Sequence, residues 1–204
     1  MTAKLTTKQY LLTTGAQEFA LKGYNKARIR VICDNAEANL ASVNYHFGGK
    51  SNLYLAVFED LYIRNKWKCA VDDIENADPE DCKEALRTYL TQIFSSNFVK
   101  TRAVNLLNTL IYREVIEPSD MFDEVFDRYI KNTLHTIERL ICRITGLNEA
   151  EDKAKFILFS IIAQIEFYRN SCKLASVYSG KKEVCYLREN MEKIVDHMIA
   201  TIYV

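Results

Sequence analysis

Apolar residues in this chain recur every three to four positions over most of its length and alternate every second position almost nowhere, the spacing of helices buried along one side. Thr6-x-x-Gln9 has the form of a capping box, and Leu12, Ala16 and Phe19 follow at helical spacing until Gly23 supplies a stop. Ile29, Ile32, Cys33 and Ala36 fall at i, i+3, i+4 and i+7, which predicts a second, short helix. A third covers residues 39 to 47, where the 100° step per residue puts Val43 and Phe47 on one side and Ala41, Ser42, Asn44 and Tyr45 on the other. Only Glu37 and Ala38 separate the second helix from the third, so the connection is a tight turn and the pair reads as a helix-turn-helix. The outer side of the third helix carries a small residue, a hydroxyl, an amide and a phenol, groups suited to base edges and phosphate oxygens in a major groove.

Beyond this segment Gly48-Gly49 predicts a turn, and Leu53, Val57 and Leu61 continue a long helix toward Trp67. Gly48-Gly49-Lys50-Ser51 ends like a phosphate-binding loop, but Asn44 stands where the first glycine belongs and no strand precedes it, so that reading fails. Asp78-Pro79-Glu80-Asp81 combines a capping carboxylate, proline in the first turn and acids at the positive end of the helix dipole. Helices are then expected at about 82–97 and 101–116, with a stop at Glu117-Pro118, and from Ser119 to Gly146. Asn148-x-x-Glu151 opens another at about 149–175, Ser179-Gly180 breaks it, and a last helix covers about 182–202. The expected fold is all-α. Residues 1–50 form a three-helix DNA-binding domain whose connecting helix runs to about 68, and residues 69–204 form a second helical domain.

Composition narrows the picture further. With 204 residues, 49% hydrophobic and 26% charged, the chain can bury its own core, and two prolines and six glycines leave long helices uninterrupted. No segment reads as a membrane span and the N-terminus lacks the pattern of a secretory signal, so a cytoplasmic protein is expected. The six cysteines, Cys33, Cys69, Cys82, Cys142, Cys172 and Cys185, show no close spacing and read as buried thiols. Net charge is zero, yet residues 1–66 carry nine basic against five acidic side chains, and the remainder is acidic by the same margin of four. A basic module joined to an acidic body suits contact with phosphate at one end. His46, His135 and His197 lie far apart and no H-E-x-x-H, C-x-x-C or G-x-S-x-G occurs, so neither an enzyme nor a metal or other cofactor is expected.

Gly23-Tyr24, Ile29, Ile32, Ala36, Asn44-Tyr45-His46-Phe47, Lys50 and Leu53 together resemble, without a gap, the DNA-binding domain of the TetR family of bacterial transcriptional regulators. The likeness is close over the first third of the chain and general beyond it. Three positions depart from the family pattern: Glu37 replaces the usual turn glycine, Ala27 the usual threonine opening the second helix, and Ala41 the usual glycine of the reader.

The resemblance implies double-stranded DNA with a near-palindromic operator as partner, read by Arg28, Asn39, Leu40, Ala41, Ser42, Asn44, Tyr45, His46 and Lys50. Lys50 is expected beside the DNA backbone, and Lys4 and Lys8 are within reach of phosphate. It also implies a homodimer built on the last two helices, through Phe156, Phe159, Phe167, Leu187, Met191, Ile194, Val195, Met198 and Ile202. A small apolar or amphipathic effector, unidentified by sequence, is expected among Phe94, Tyr112, Phe126, Tyr129, His135, Gln164, Glu166 and Arg169. The expected function is a ligand-responsive homodimeric repressor. The alternative is a helical interaction protein that has lost specific DNA binding, with Glu37 and Ala27 as the warning.

Overall fold

The computed structural model describes residues 5–65, 69–96, 102–170, 172–180 and 183–203, and every regular element among them is helical. The chain divides into two compact units: residues 1–66 with 101–131, and residues 67–100 with 132–204. The segment 101–131 therefore packs with the N-terminal helices, although it follows the expected domain boundary at 68 in the sequence.

In the first unit, α1 (Thr7–Lys26) opens on the expected capping box, the Thr6 and Gln9 side chains satisfying each other's backbone N–H groups. Gly23 takes φ +73° and kinks the helix. The kink strips helical partners from the preceding carbonyls, and two of these accept instead from Arg113, Nε to Ala20 O at 2.7 Å and a terminal nitrogen to Leu21 O at 2.9 Å. Arg113 belongs to α6 (Arg102–Ile116), so a helix distant in sequence completes the end of α1. Behind α1 runs α4 (Lys50–Asn65), and Gly15 permits the close approach: a Cβ there would sit 3.3 Å from Val57 Cγ2. Leu11, Phe19, Ile32, Leu53, Tyr54, Phe58 and Leu110 are fully buried and form the interior of this unit.

One carboxylate lies in that interior. Glu114, 2% exposed, accepts from the Tyr54 hydroxyl, from Ser119 N at 3.1 Å, and from Ser119 Oγ at 2.9 and 3.0 Å. Burial and then the Glu114 hydrogen bond push the Tyr54 hydroxyl far above the ordinary phenol range. Ser119 Oγ in turn accepts from Met121 N at 3.1 Å, which turns the chain past Pro118 into α7 (Phe122–Val125). The helix expected to run unbroken from Ser119 thus starts later and widens into a π-type turn over Phe126–Ile130. That turn aims the buried Tyr129 at α4, where its hydroxyl bonds Glu59 at 3.0 Å and Leu55 O at 3.3 Å; burial foremost pushes its pKa up to about 12.

The second unit packs α5 (Pro79–Ser96), α8 (Lys131–Thr145), α9 (Asp152–Asn170) and α11 (Glu183–Ala200) around one apolar cluster. Leu86, Leu90 and Phe94 face Ile137, Leu140, Ile141 and Ile144, with Ile157, Leu158, Ile161 and Ile165 and then Ile194, Val195, Met198, Ile199 and Ile202 closing the core. Each set repeats at three to four residues, the period that predicted these helices. Asp78 accepts from Glu80 N at 2.8 Å as the expected cap. Within the helix expected at 149–175, the described residues are helical over α9 (Asp152–Asn170) and α10 (Cys172–Ser179). Lys4 and Trp67 lie outside the described residues, as do the side chains of Arg169 and Leu187.

Removing the buried carboxylate leaves three donors without their acceptor, so Glu114→Ala is expected to cost about 3 kcal/mol in urea unfolding of the first unit. Glu117→Ala, which removes an ion pair to Lys26 at 3.4 Å between side chains more than 70% exposed, is expected to leave the midpoint unchanged. A second expectation concerns Glu37, which takes φ +51° in the turn. Glu37→Gly relieves left-handed strain against a gain in unfolded-state entropy, and is expected to stabilise by up to about 1 kcal/mol in the same measurement.

Candidate nucleic-acid interface

Helix α2 (Ile29–Asn35) buries Ile32 and Cys33 on the expected stripe, and Thr14 Oγ1 ties it to α1 by donating to Ile32 O at 3.2 Å. Its N-terminus has no cap from Arg28's own side chain. Instead Glu18, 9% exposed, reaches from α1 and accepts from Arg28 N at 3.3 Å. Ala27 is buried beside this junction, so the carboxylate of another helix serves where the family pattern has a threonine. Glu18 was not singled out from sequence, though the signal was legible: an acid at i+7 from Leu11 and i+4 from Thr14 lies on the buried stripe of α1.

From Asn35 the chain turns through Glu37, with Ala36 N and Ala38 N both bonded back to Cys33 O at 3.1 and 3.0 Å. The Cys33 thiol donates to Asn39 O at 3.7 Å, fastening the start of α3 (Leu40–Phe47) to α2. Burial and then the Asp34 charge push that thiol above its ordinary value, so it is a packing group and not a reactive thiolate. Asn39 caps α3, and Gly48 closes it in the left-handed region at φ +76°, its N–H bonded to Asn44 O at 2.9 Å.

Two faces of α3 result. Val43 and Phe47 are 1% and 8% exposed and hold the helix to its neighbours. Asn39, Leu40, Ala41, Asn44 and Tyr45 are exposed, Tyr45 at 85%, while Ser42 and His46 are half-buried at the edges. The Tyr45 and His46 rings meet edge to face at 5.0 Å. Arg28 is exposed one helix away. Lys8 lies over the Phe47 ring at 5.9 Å and brings a cation from α1 to the base of the reader.

Lys50 is half-buried at the start of α4. Its Nζ lies 4.7 Å from the centre of the Tyr24 ring and donates to Asn25 O at 3.3 Å, and burial lowers its pKa. This ammonium clamps the start of α4 to the end of α1.

The candidate effector residues are drawn from both units. Tyr112, Phe126 and Tyr129 belong to the first unit, and Phe94, His135, Gln164 and Glu166 to the second. Phe94 and Tyr129 are 1% and 4% exposed and serve as core, whereas His135 is exposed. Tyr112, Phe126, Gln164 and Glu166 are half-buried. The candidate interface residues divide too. Ile194, Val195, Met198 and Ile202 lie in the chain's own core at 7% exposure or less, with Met191 packed against them, because α11 turns its apolar side toward α5. Phe156, Phe159 and Phe167 on α9 point outward at 73%, 60% and 55% exposure.

The comparisons with known proteins agree with this geometry. Residues 11–57 match the profile of bacterial regulatory proteins of the tetR family, and residues 82–203 match the C-terminal domain of the HTH-type transcriptional dual regulator CecR. CecR of Shigella flexneri is 26% identical over 170 residues, 79% of this chain and 75% of that protein. The probable HTH-type transcriptional regulator YttP of Bacillus subtilis (strain 168) is 23% identical over 138 residues, 68% of this chain and 64% of that protein. Among solved structures, the hemolysin II transcriptional regulator HlyIIR superposes with a TM-score of 0.67 at 20% identity, 96% of each chain being covered, which is a likeness of fold. These relatives are regulators and not enzymes. With the reader matched by one profile and more than half of the chain by the other, this protein belongs to the TetR family of DNA-binding transcriptional regulators, and its C-terminal region is of the CecR type.

Proposed function

We propose that the chain is a homodimeric, ligand-responsive repressor that places α3 in the major groove of a near-palindromic operator. The observation that carries this reading is the division of α3 into a buried pair, Val43 and Phe47, and an exposed set of Asn39, Ala41, Asn44 and Tyr45. Many surface helices carry a polar outer face, but this one lies on the second helix of a helix-turn-helix, the element that enters the groove in that motif. Ala41 admits close approach, Tyr45 and Asn44 reach base edges or phosphates, and Arg28 supplies charge from the neighbouring helix. Asn39, Leu40, Ser42 and His46 complete the contact set, with Lys50 in a positioning role. Carrying out such work places the protein with the chromosome in the cytoplasm.

The dimer reading rests on α9. Phe156, Phe159, Ala163 and Phe167 make an exposed stripe at i, i+3, i+7 and i+11, and Leu174, Val177 and Tyr178 on α10 are more than half exposed as well. Contiguous apolar surface of this kind marks an interface, and a twofold dimer matches a palindromic site. The small-molecule response belongs to the helical body, with half-buried Gln164 and Glu166 as its polar candidates, and acts by favouring a state with weaker operator affinity. CecR is described as a dual regulator, and that description favours a second reading in which this chain also activates some promoters.

The test is salt-titrated binding of the pure chain to its own upstream DNA and to a scrambled duplex. Binding preferring the upstream DNA, weakening steeply as salt rises, is expected, and Tyr45→Ala is expected to weaken it about tenfold or more with the thermal melt unchanged. Equal weak binding to both duplexes and no effect of the substitution would instead support an interaction protein. Phe159→Asp is expected to shift the chain from dimer to monomer in sedimentation while leaving its helical content intact; an unchanged dimer would remove α9 from the interface.

A further inference from the structure

The cap of the reading helix also fixes the hydrogen-bonding polarity of its neighbour. Asn39 Oδ1 accepts from Ser42 N at 2.8 Å and from Ser42 Oγ at 2.8 Å. The backbone N–H leaves no choice in the orientation of the amide: the oxygen must face Ser42, and the NH2 group points away. The Ser42 hydroxyl has one proton, and that proton is spent on Asn39. Its lone pairs remain, so toward DNA this side chain is an acceptor. Donating to an oxygen makes a hydroxyl a stronger acceptor, because successive hydrogen bonds polarise one another.

Ser42 also stands where it matters. Three 100° steps place it about 60° around the helix from Tyr45, the most exposed residue of the face, and it is half-buried at that edge. Phosphate and sugar oxygens, guanine O6 and N7, and thymine O4 offer only acceptors and do not suit it. In the major groove the donors are the exocyclic amino groups, N6 of adenine and N4 of cytosine.

We infer that Ser42 is a specificity-determining residue that accepts a hydrogen bond from an adenine or cytosine amino group, with Asn39 as the positioning residue that holds it in that role. The inference rests on the DNA reading and deepens it. Neither residue type alone suggests this, since serine serves either base class and Asn39 reads as a simple cap.

The experiment begins with selection of a tight duplex from a random pool by the full chain. In that duplex each adenine is replaced singly by purine and each cytosine by 2-pyrimidinone, which removes only the amino group. In parallel, each adenine or guanine is replaced by its 7-deaza analogue, which removes an acceptor. At one position per half-site, loss of the amino group is expected to weaken wild-type binding about five- to tenfold and to leave Ser42→Ala unaffected, as for one hydrogen bond to a base. Asn39→Asp preserves the acceptor and should keep that amino dependence, whatever it does to overall affinity. Asn39→Gly, a tolerated cap, frees the hydroxyl proton so that Ser42 can donate as well as accept, and should weaken the dependence while shifting the melt only slightly. Ser42→Ala losing sensitivity to a 7-deaza analogue instead, or matching wild type at every position, would overturn the inference while leaving DNA reading intact. Failure to enrich any duplex would overturn the DNA reading and the inference together.

Discussion

Glu114 is an ionisable group 2% exposed in the interior of the unit that carries the reader, and the geometry around it follows from the need to satisfy it. A carboxylate taken out of water is tolerated only with several donors, and here Tyr54 of α4 and the backbone and hydroxyl of Ser119 provide them. One consequence is that α4 is fixed against α6 by a directional bond as well as by apolar packing. Another is that Arg113, one residue earlier, is delivered to the carbonyls of Ala20 and Leu21 at the kinked end of α1. The helices that hold the reader therefore depend on residues roughly 60 to 90 positions further along the chain.

The reader itself is too short to fold by propensity, and its order is borrowed. Helix α2 is capped by Glu18 from α1, α3 is capped by Asn39 and tied to α2 through the Cys33 thiol, and Lys50 fastens the α4 start to Tyr24 and Asn25. The Glu18 and Cys33 ties are partly buried, and the Asn39 cap and the Lys50 bond lie at the surface. On α3 the side chains of Ala41, Asn44 and Tyr45 are left exposed. Glu37 turns the chain in the left-handed region at φ +51°, a conformation that glycine adopts more cheaply.

The fold was legible wherever a single helix buries a regular stripe. Ala16, Phe19, Ile32, Val43, Phe47, Leu53 and Val57 are all interior, as their periodicity implies, whereas Leu12 is half-buried and Leu11 takes the interior place beside it. Less legible was anything set by a partner distant in sequence. Spacing cannot say that α11 turns Ile194, Val195 and Met198 inward while α9 turns Phe156 and Phe159 outward, since both helices show the same period. Nor does spacing separate Phe94 and Tyr129, which are core, from His135, which is surface. Glu18 and Glu114 carried a signal that went unread, an acid on a buried stripe, which demands a donor that the sequence does not name. The π-type turn at Phe126–Ile130 has no sequence mark that we recognise.

On the proposed function the exposed face of α3 lies against DNA. The most direct measurement places a photoreactive benzoylphenylalanine at Tyr45, and in a second variant at Tyr178, which is as exposed but lies on α10. Illumination with operator duplex should give a protein–DNA adduct from position 45, competed by unlabelled operator, and none from position 178. An adduct from 178 but not 45, or none from either under conditions where the duplex is bound, would contradict the account.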